Sequence, residues 1–270
     1  MRPMSSHAYL ALALAFYAIG ALHVLLHALT RRRLLTSWTV VATLAAFVLH
    51  TASLSQRWTE AGHFPAVGLH DGASFLAWAI VLAFLMTYLR TREEALGLAI
   101  HPAAFVLVLV AYLAPTSERP DAVVKSLFLP IHATLAFFGY AALFLAFVMS
   151  LLYLIRERGL KSRTPNAFYH LVPSLERCDT ISAISASVGF VFLTLAIITG
   201  VLWSHAARGQ YFSGDAKEWS ALIAWLIYVG LILTRYRRGW GGRRAAFAGI
   251  AGFAAVVVTF VSVTLGGRGH

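Results

Sequence analysis

Between Gly200 and Trp225 the chain reads GVLWSHAARGQYFSGDAKEWSALIAW. This passage concentrates side chains that can do chemistry. It carries an indole (Trp203), an imidazole (His205), two cations (Arg208, Lys217), two adjacent aromatics (Tyr211, Phe212) and two acids (Asp215, Glu218). All of them fall within roughly five helical turns. Together they suit a flat, anionic, aromatic ligand. Plainer roles fit some of the same residues: Trp58, Trp203 and Trp219 suit an interfacial aromatic belt, and Asp215 and Glu218 suit the start of a helix.

The 11 histidines are the second chemical signal. Neutral imidazole is a common ligand for iron, and a histidine at membrane depth is a functional candidate. His23 and His27, four residues apart, share one helical face. They could share a small ion or bond to a neighbouring helix, but they cannot sandwich one porphyrin. His132 and His270 flank the aromatic passage and could face each other across a site. His132 also reads as a polar residue at a helix start, and His270 as a chain end. His50 is either a ligand or a hydrogen-bonding partner between helices. His63 and His70 are expected in water.

The elements that must position these residues are long apolar runs. With 59% apolar and 12% charged residues and a mean hydropathy of +0.74, the composition lies outside that of soluble domains. Runs occur at about Ala8–Leu29, Leu35–Leu54, Gly72–Leu89, Leu96–Leu113, Leu127–Ile155, Ile181–Trp203, Trp219–Leu233 and Ala245–Leu265. A span needs about 20 apolar residues, and continuous runs exclude the alternation of barrel strands. The expected fold is therefore all-α: a polytopic integral membrane protein with about eight transmembrane helices, forming a single domain over residues 1–270. The N-terminal run, which lacks a small-residue cleavage site, reads as the first span.

The cations set the expected orientation. Alternate loops, after the first, third, fifth and seventh runs, hold 15 of the 22 Lys and Arg residues. These loops are expected in the cytoplasm, with both termini and the 200–219 loop on the outer face. Six histidines (His50, His63, His70, His132, His205 and His270) then gather toward that face. The net charge of +11 reflects topology, and nucleic acid is not an expected partner. A short interfacial helix is expected within 160–180. The single Cys178 excludes an internal disulfide and any CxxC motif. A transporter is disfavoured, because there is no Pro/Gly-broken pair of spans and no chain of buried acids.

Four stretches carry a resemblance: GHFPAVGLHDGASFLAWAI, LPIHATLAFFGYAALFLAFVMSLLYLI, LVPSLERCDTISAISASVGFVFLTLAIITGVLW and QYFSGDAKEWSALIAWLIYVGLILTRYRRGWGGRRAA. From about His50 to His270 the sequence resembles the cytochrome c assembly family of membrane haem-handling proteins. That family includes the CcsA, ResC and CcmC types and the smaller HemX- and YpjD-like branch. The resemblance implies a non-covalent b-type haem held between His132 and His270 at the outer face, with His50 matching a first membrane histidine. It also implies an apocytochrome c and a membrane assembly partner, within a bacterial cytoplasmic membrane. The role would be that of a component of a haem lyase or synthase system, not of a conventional enzyme.

Two departures are visible. Where the family motif commonly reads WGxYWxWDPKE, this chain reads RGQYFSGDAKE from Arg208 to Glu218. Three indoles are missing, while Asp215, Lys217 and Glu218 remain. Leu233 stands where a second membrane histidine is expected. These departures suggest the smaller branch, whose roles are regulatory or scaffolding in haem biosynthesis. They also predict weaker haem binding at a wetter site.

Overall fold

A computed structural model describes residues 4–30, 37–116, 128–162, 171–239 and 241–266. Eight helices are long and apolar enough to cross a membrane, as the run pattern predicts. They are α1 (Ser6–Thr30), α2 (Ser37–Ala61), α3 (Gly68–Thr91), α4 (Gly97–Leu113), α5 (Phe128–Lys161), α6 (Leu175–Arg208), α7 (Ala216–Arg238) and α8 (Gly242–Gly266). The protein is a multi-pass membrane protein. Exposed Leu22, Val48 and Val258 are the outward surface expected of helices in lipid.

Most helices outrun the apolar runs that mark them. Both α5 and α6 have 34 residues, about 51 Å at 1.5 Å per residue, well beyond a hydrocarbon core of about 30 Å. The caps of α6 show how its polar ends are finished. Ser174 Oγ accepts from the Arg177 amide, satisfying an otherwise orphaned N-terminal donor. At the other end Gly209, at φ +72°, sends its amide back to the His205 carbonyl at 2.8 Å, the left-handed termination that glycine makes easily. The Gly200–Trp225 passage is consequently mostly helix, with residues 209–215 as the connection between α6 and α7.

The same effect shortens the connection between the second and third runs. α2 continues to Ala61 and α3 begins at Gly68, which leaves six connecting residues. Residues 163–170 of the expected interfacial segment lie outside the described residues, and 175–180 belong to the start of α6.

The chain divides into two compact units, residues 1–125 and 126–270. In the first, α1 packs on α2 and α4, and α3 packs on α4. The N-terminus of α1 meets the C-terminal end of α2, where the Ser6 amide donates to Glu60 Oε1 at 3.0 Å. At the same end the His70 Nδ1–H of α3 donates to the Ala111 carbonyl of α4 at 2.6 Å. In the second unit α5 lies along α6 and α8, with α7 against α8. Its core includes Leu143, Ala186, Leu193, Tyr228 and Val256. Asp179 of α6 ties the end opposite His132 together, pairing with Arg235 of α7 and accepting the Gly242 amide at the start of α8.

Candidate functional site

The site of the second unit is built where α5 begins and α6 ends. His132 stands in the second turn of α5, half-buried. Its Nδ1 lies 2.8 Å from the Ala196 carbonyl of α6. A carbonyl only accepts, so Nδ1 carries the proton and the lone pair sits on Nε2. Trp203 lies nearly parallel to the imidazole, 12° apart with centroids separated by 6.1 Å. The Trp203 Nε1–H is buried and has no acceptor among the described residues.

Those features test the fit of haem from the molecule's own atoms. A neutral imidazole with its lone pair on Nε2 can hold iron. An indole donor lacking an acceptor suits a carboxylate such as a propionate. The nearby loop supplies further aromatic surface. Tyr211 stacks on His205 at 4.1 Å and 10°, and Phe212 meets Trp219 edge-on at 5.3 Å. Tyr211, Phe212 and Trp219 are all exposed, so the loop presents an open aromatic rim.

The two acids have structural partners. Glu218 receives the Ser213 and Gly214 amides at 2.8 and 2.9 Å. Asp215 is the residue before α7, and its carbonyl accepts the Glu218 amide. Ser213 Oγ lies 3.0 Å from Asp215 Oδ2. Glu218 thus fills the helix-start role that the sequence allows, whereas Asp215 holds the N-cap position without a capping hydrogen bond from its side chain. The side chains of Arg208 and Lys217, and the whole of His270, lie outside the described residues. Leu233 of α7 is exposed, at 49%.

The first unit holds a different set of histidines. His50, completely buried, has Nε2 2.9 Å from Ser74 Oγ of α3 and Nδ1 3.4 Å from the Tyr17 hydroxyl of α1. It joins three helices. His23 and His27 lie ring against ring at 3.9 Å, and His23 Nδ1 meets Thr39 Oγ1 of α2, in keeping with bonding between helices. His101 was not singled out in the sequence. It is buried, with Nδ1–H on the Gly97 carbonyl and Nε2 3.0 Å from Thr43 Oγ1.

The expectation that His63 and His70 are in water is overturned: both are buried. His63 bonds to the Phe64 carbonyl and His70 to Ala111, so folding has replaced water at each. Next to His70, Asp71 forms a buried ion pair with Arg57 at 3.0 Å.

Eight helices long enough to span a membrane and basic alternate loops define a multi-pass membrane protein, and its second unit carries an imidazole–indole pair with an aromatic rim nearby in the chain. The family model for cytochrome c assembly proteins matches residues 69–269, and the chain belongs to that family. It is 33% identical over 250 residues to the cytochrome c biogenesis protein CcsA of Synechococcus sp. (strain CC9902), covering 83% of this chain and 82% of the relative. It is 31% identical over 266 residues to the protein of the same name from Prochlorococcus marinus (strain MIT 9303), covering 86% and 82%. A CcsA of Chlamydomonas reinhardtii matches at 31% over 221 residues, 79% of this chain and 62% of the relative.

Proposed function

We propose that the protein holds haem at the outer end of its second unit and presents it for cytochrome c maturation. The observation that carries this reading is the pairing of His132, with its lone pair on Nε2, and Trp203, whose buried N–H lacks an acceptor among the described residues. One ligand for iron and one donor for a carboxylate stand side by side. The names of the relatives place the reading in cytochrome c biogenesis.

Haem supplies the iron and the propionates, and the chain's residues bind and orient it. In this proposal His132 and His270 would hold the iron. Tyr211 and Phe212 offer apolar surface to the ring, and Arg208 or Lys217 pairs with a propionate at the water-facing edge. With three indoles of the family motif absent, the site is open and binding is weak enough for release. Cys178 is buried, so a membrane partner supplies thiol chemistry and docks the apocytochrome. His50 in the present arrangement packs helices, and haem ligation there would require its bonds to Ser74 and Tyr17 to open. The proposed location is a bacterial cytoplasmic membrane.

A second reading, a HemX- or YpjD-like regulatory or scaffolding protein, draws on Phe212 at a motif indole and on the exposed Leu233. The relatives named above are CcsA proteins and lend that branch no support. One experiment separates the readings: absorption spectra of the detergent-purified protein, oxidised and reduced, with and without added haemin. We expect a Soret band that is lost in the double variant His132→Ala, His270→Ala. No band in the wild type after haemin addition would abandon haem presentation in favour of the second reading.

A further inference from the structure

Ala196, Gly200 and Trp203 fall at i, i+4 and i+7 along α6, which puts them on one helical face. Each meets the same imidazole. The Ala196 carbonyl accepts the His132 Nδ1–H at 2.8 Å. Trp203 lies nearly parallel to the ring, 12° apart with centroids 6.1 Å from one another. Between them Gly200 offers no side chain. A Cβ built there would stand 2.8 Å from His132 Cε1, 3.0 Å from Nδ1 and 3.7 Å from Nε2.

We propose that this face of α6 is a cradle that fixes the tautomer and orientation of His132 for iron, with Gly200 as its positioning residue. The inference rests on the reading of His132 as a haem ligand and adds to it the group that makes the ligand competent. An imidazole protonated on Nε2 has no lone pair there for iron. Seating Nδ1–H on a carbonyl excludes that tautomer and raises the basicity of the opposite nitrogen. The ring reaches the carbonyl only because position 200 is empty. A methyl group there would crowd Cε1 and Nδ1, the side of the ring that makes that bond, so the ring would have to shift.

Other glycines at the α5–α6 contact do something else. A Cβ at Gly139 would stand 3.2 Å from the Leu193 amide nitrogen, and one at Gly189 would stand 2.5 Å from Leu143 Cδ2. Both serve close approach of the helices and neither meets His132. They separate a packing role from a positioning role.

The test uses the full-length protein in detergent: wild type, Gly200→Ala, Gly189→Ala and His132→Ala. Two quantities are read, haemin affinity by absorption titration and the His132 tautomer in the haem-free protein by nitrogen NMR of labelled histidine. We expect an Nδ1–H tautomer in the wild type. Gly200→Ala should weaken haemin by about tenfold to a hundredfold, the usual cost of losing a partner behind a metal-binding histidine, and should mix the tautomers. Gly189→Ala should keep both at wild-type values while lowering the melting temperature. Wild-type affinity and tautomer in Gly200→Ala, or an equal loss in Gly189→Ala, would overturn the inference. Should Gly200→Ala not fold, an Nε2–H imidazole in the wild type overturns the cradle and an Nδ1–H one supports it. Absence of haemin binding by the wild type removes the iron role altogether, and the tautomer comparison still reports whether Gly200 seats the ring.

Discussion

At the scale of single residues, the first unit is held by polar groups that water would otherwise claim. Arg57 and Asp71 are nearly inaccessible, so removing one partner leaves a buried charge. Arg57→Ala is expected to lower stability by about 3–5 kcal/mol, read as a fall in melting temperature in detergent. The double change Arg57→Leu, Asp71→Leu should recover most of that loss, because it removes both desolvation costs together. A double variant as unstable as the single one would show that the pair acts by something other than charge compensation. These partnerships were poorly legible in the sequence. His70 and Asp71 look like loop residues because their partners, Ala111 and Arg57, lie far along the chain, and hydropathy treats a polar residue as solvated unless its partner is known. His132 was legible as a candidate, whereas Ala196 acts through a backbone carbonyl that residue type does not reveal.

Among the elements, the number and order of the helices could be read from the apolar runs, and their ends could not. A run marks the part of a helix that lies in lipid. The caps and amphipathic ends that carry α6 back to Leu175 and on to Arg208 obey local hydrogen bonding instead. The contact between α5 and α6 depends on small residues, the means by which membrane helices approach closely. Gly189→Ala forces a methyl group against Leu143, and overpacking of this kind costs typically about 1–3 kcal/mol. The expected readout is a lower melting temperature that Leu143→Ala partly restores in the double variant. Glu218 anchors the short turn between α6 and α7 through two amides. Glu218→Ala should therefore speed proteolysis between Gly209 and Asp215 and leave the rest of the chain resistant.

For the molecule as a whole, the arginine pattern leads us to propose both termini outside. A phosphatase reporter that works only outside the cytoplasm should be active when fused after Ser213 or after His270, and inactive after Ser162. The reverse pattern would invert the topology and move the proposed haem site to the cytoplasmic face. The buried polar groups of the first unit have a further consequence, for how the protein is made. When α2 emerges behind α1, Thr43, His50 and Arg57 lack the partners His101, Ser74 and Asp71 that α3 and α4 give them later. Arg57 stands in the last turns of α2, and the mean hydropathy of this span is 1.5, against 2.1 for α1. The second helix is thus a poor solute for lipid until its neighbours emerge. Nascent chains ending soon after Ala61 should be extracted by alkaline carbonate more readily than chains ending after Leu113, so the first four helices enter the bilayer as a company.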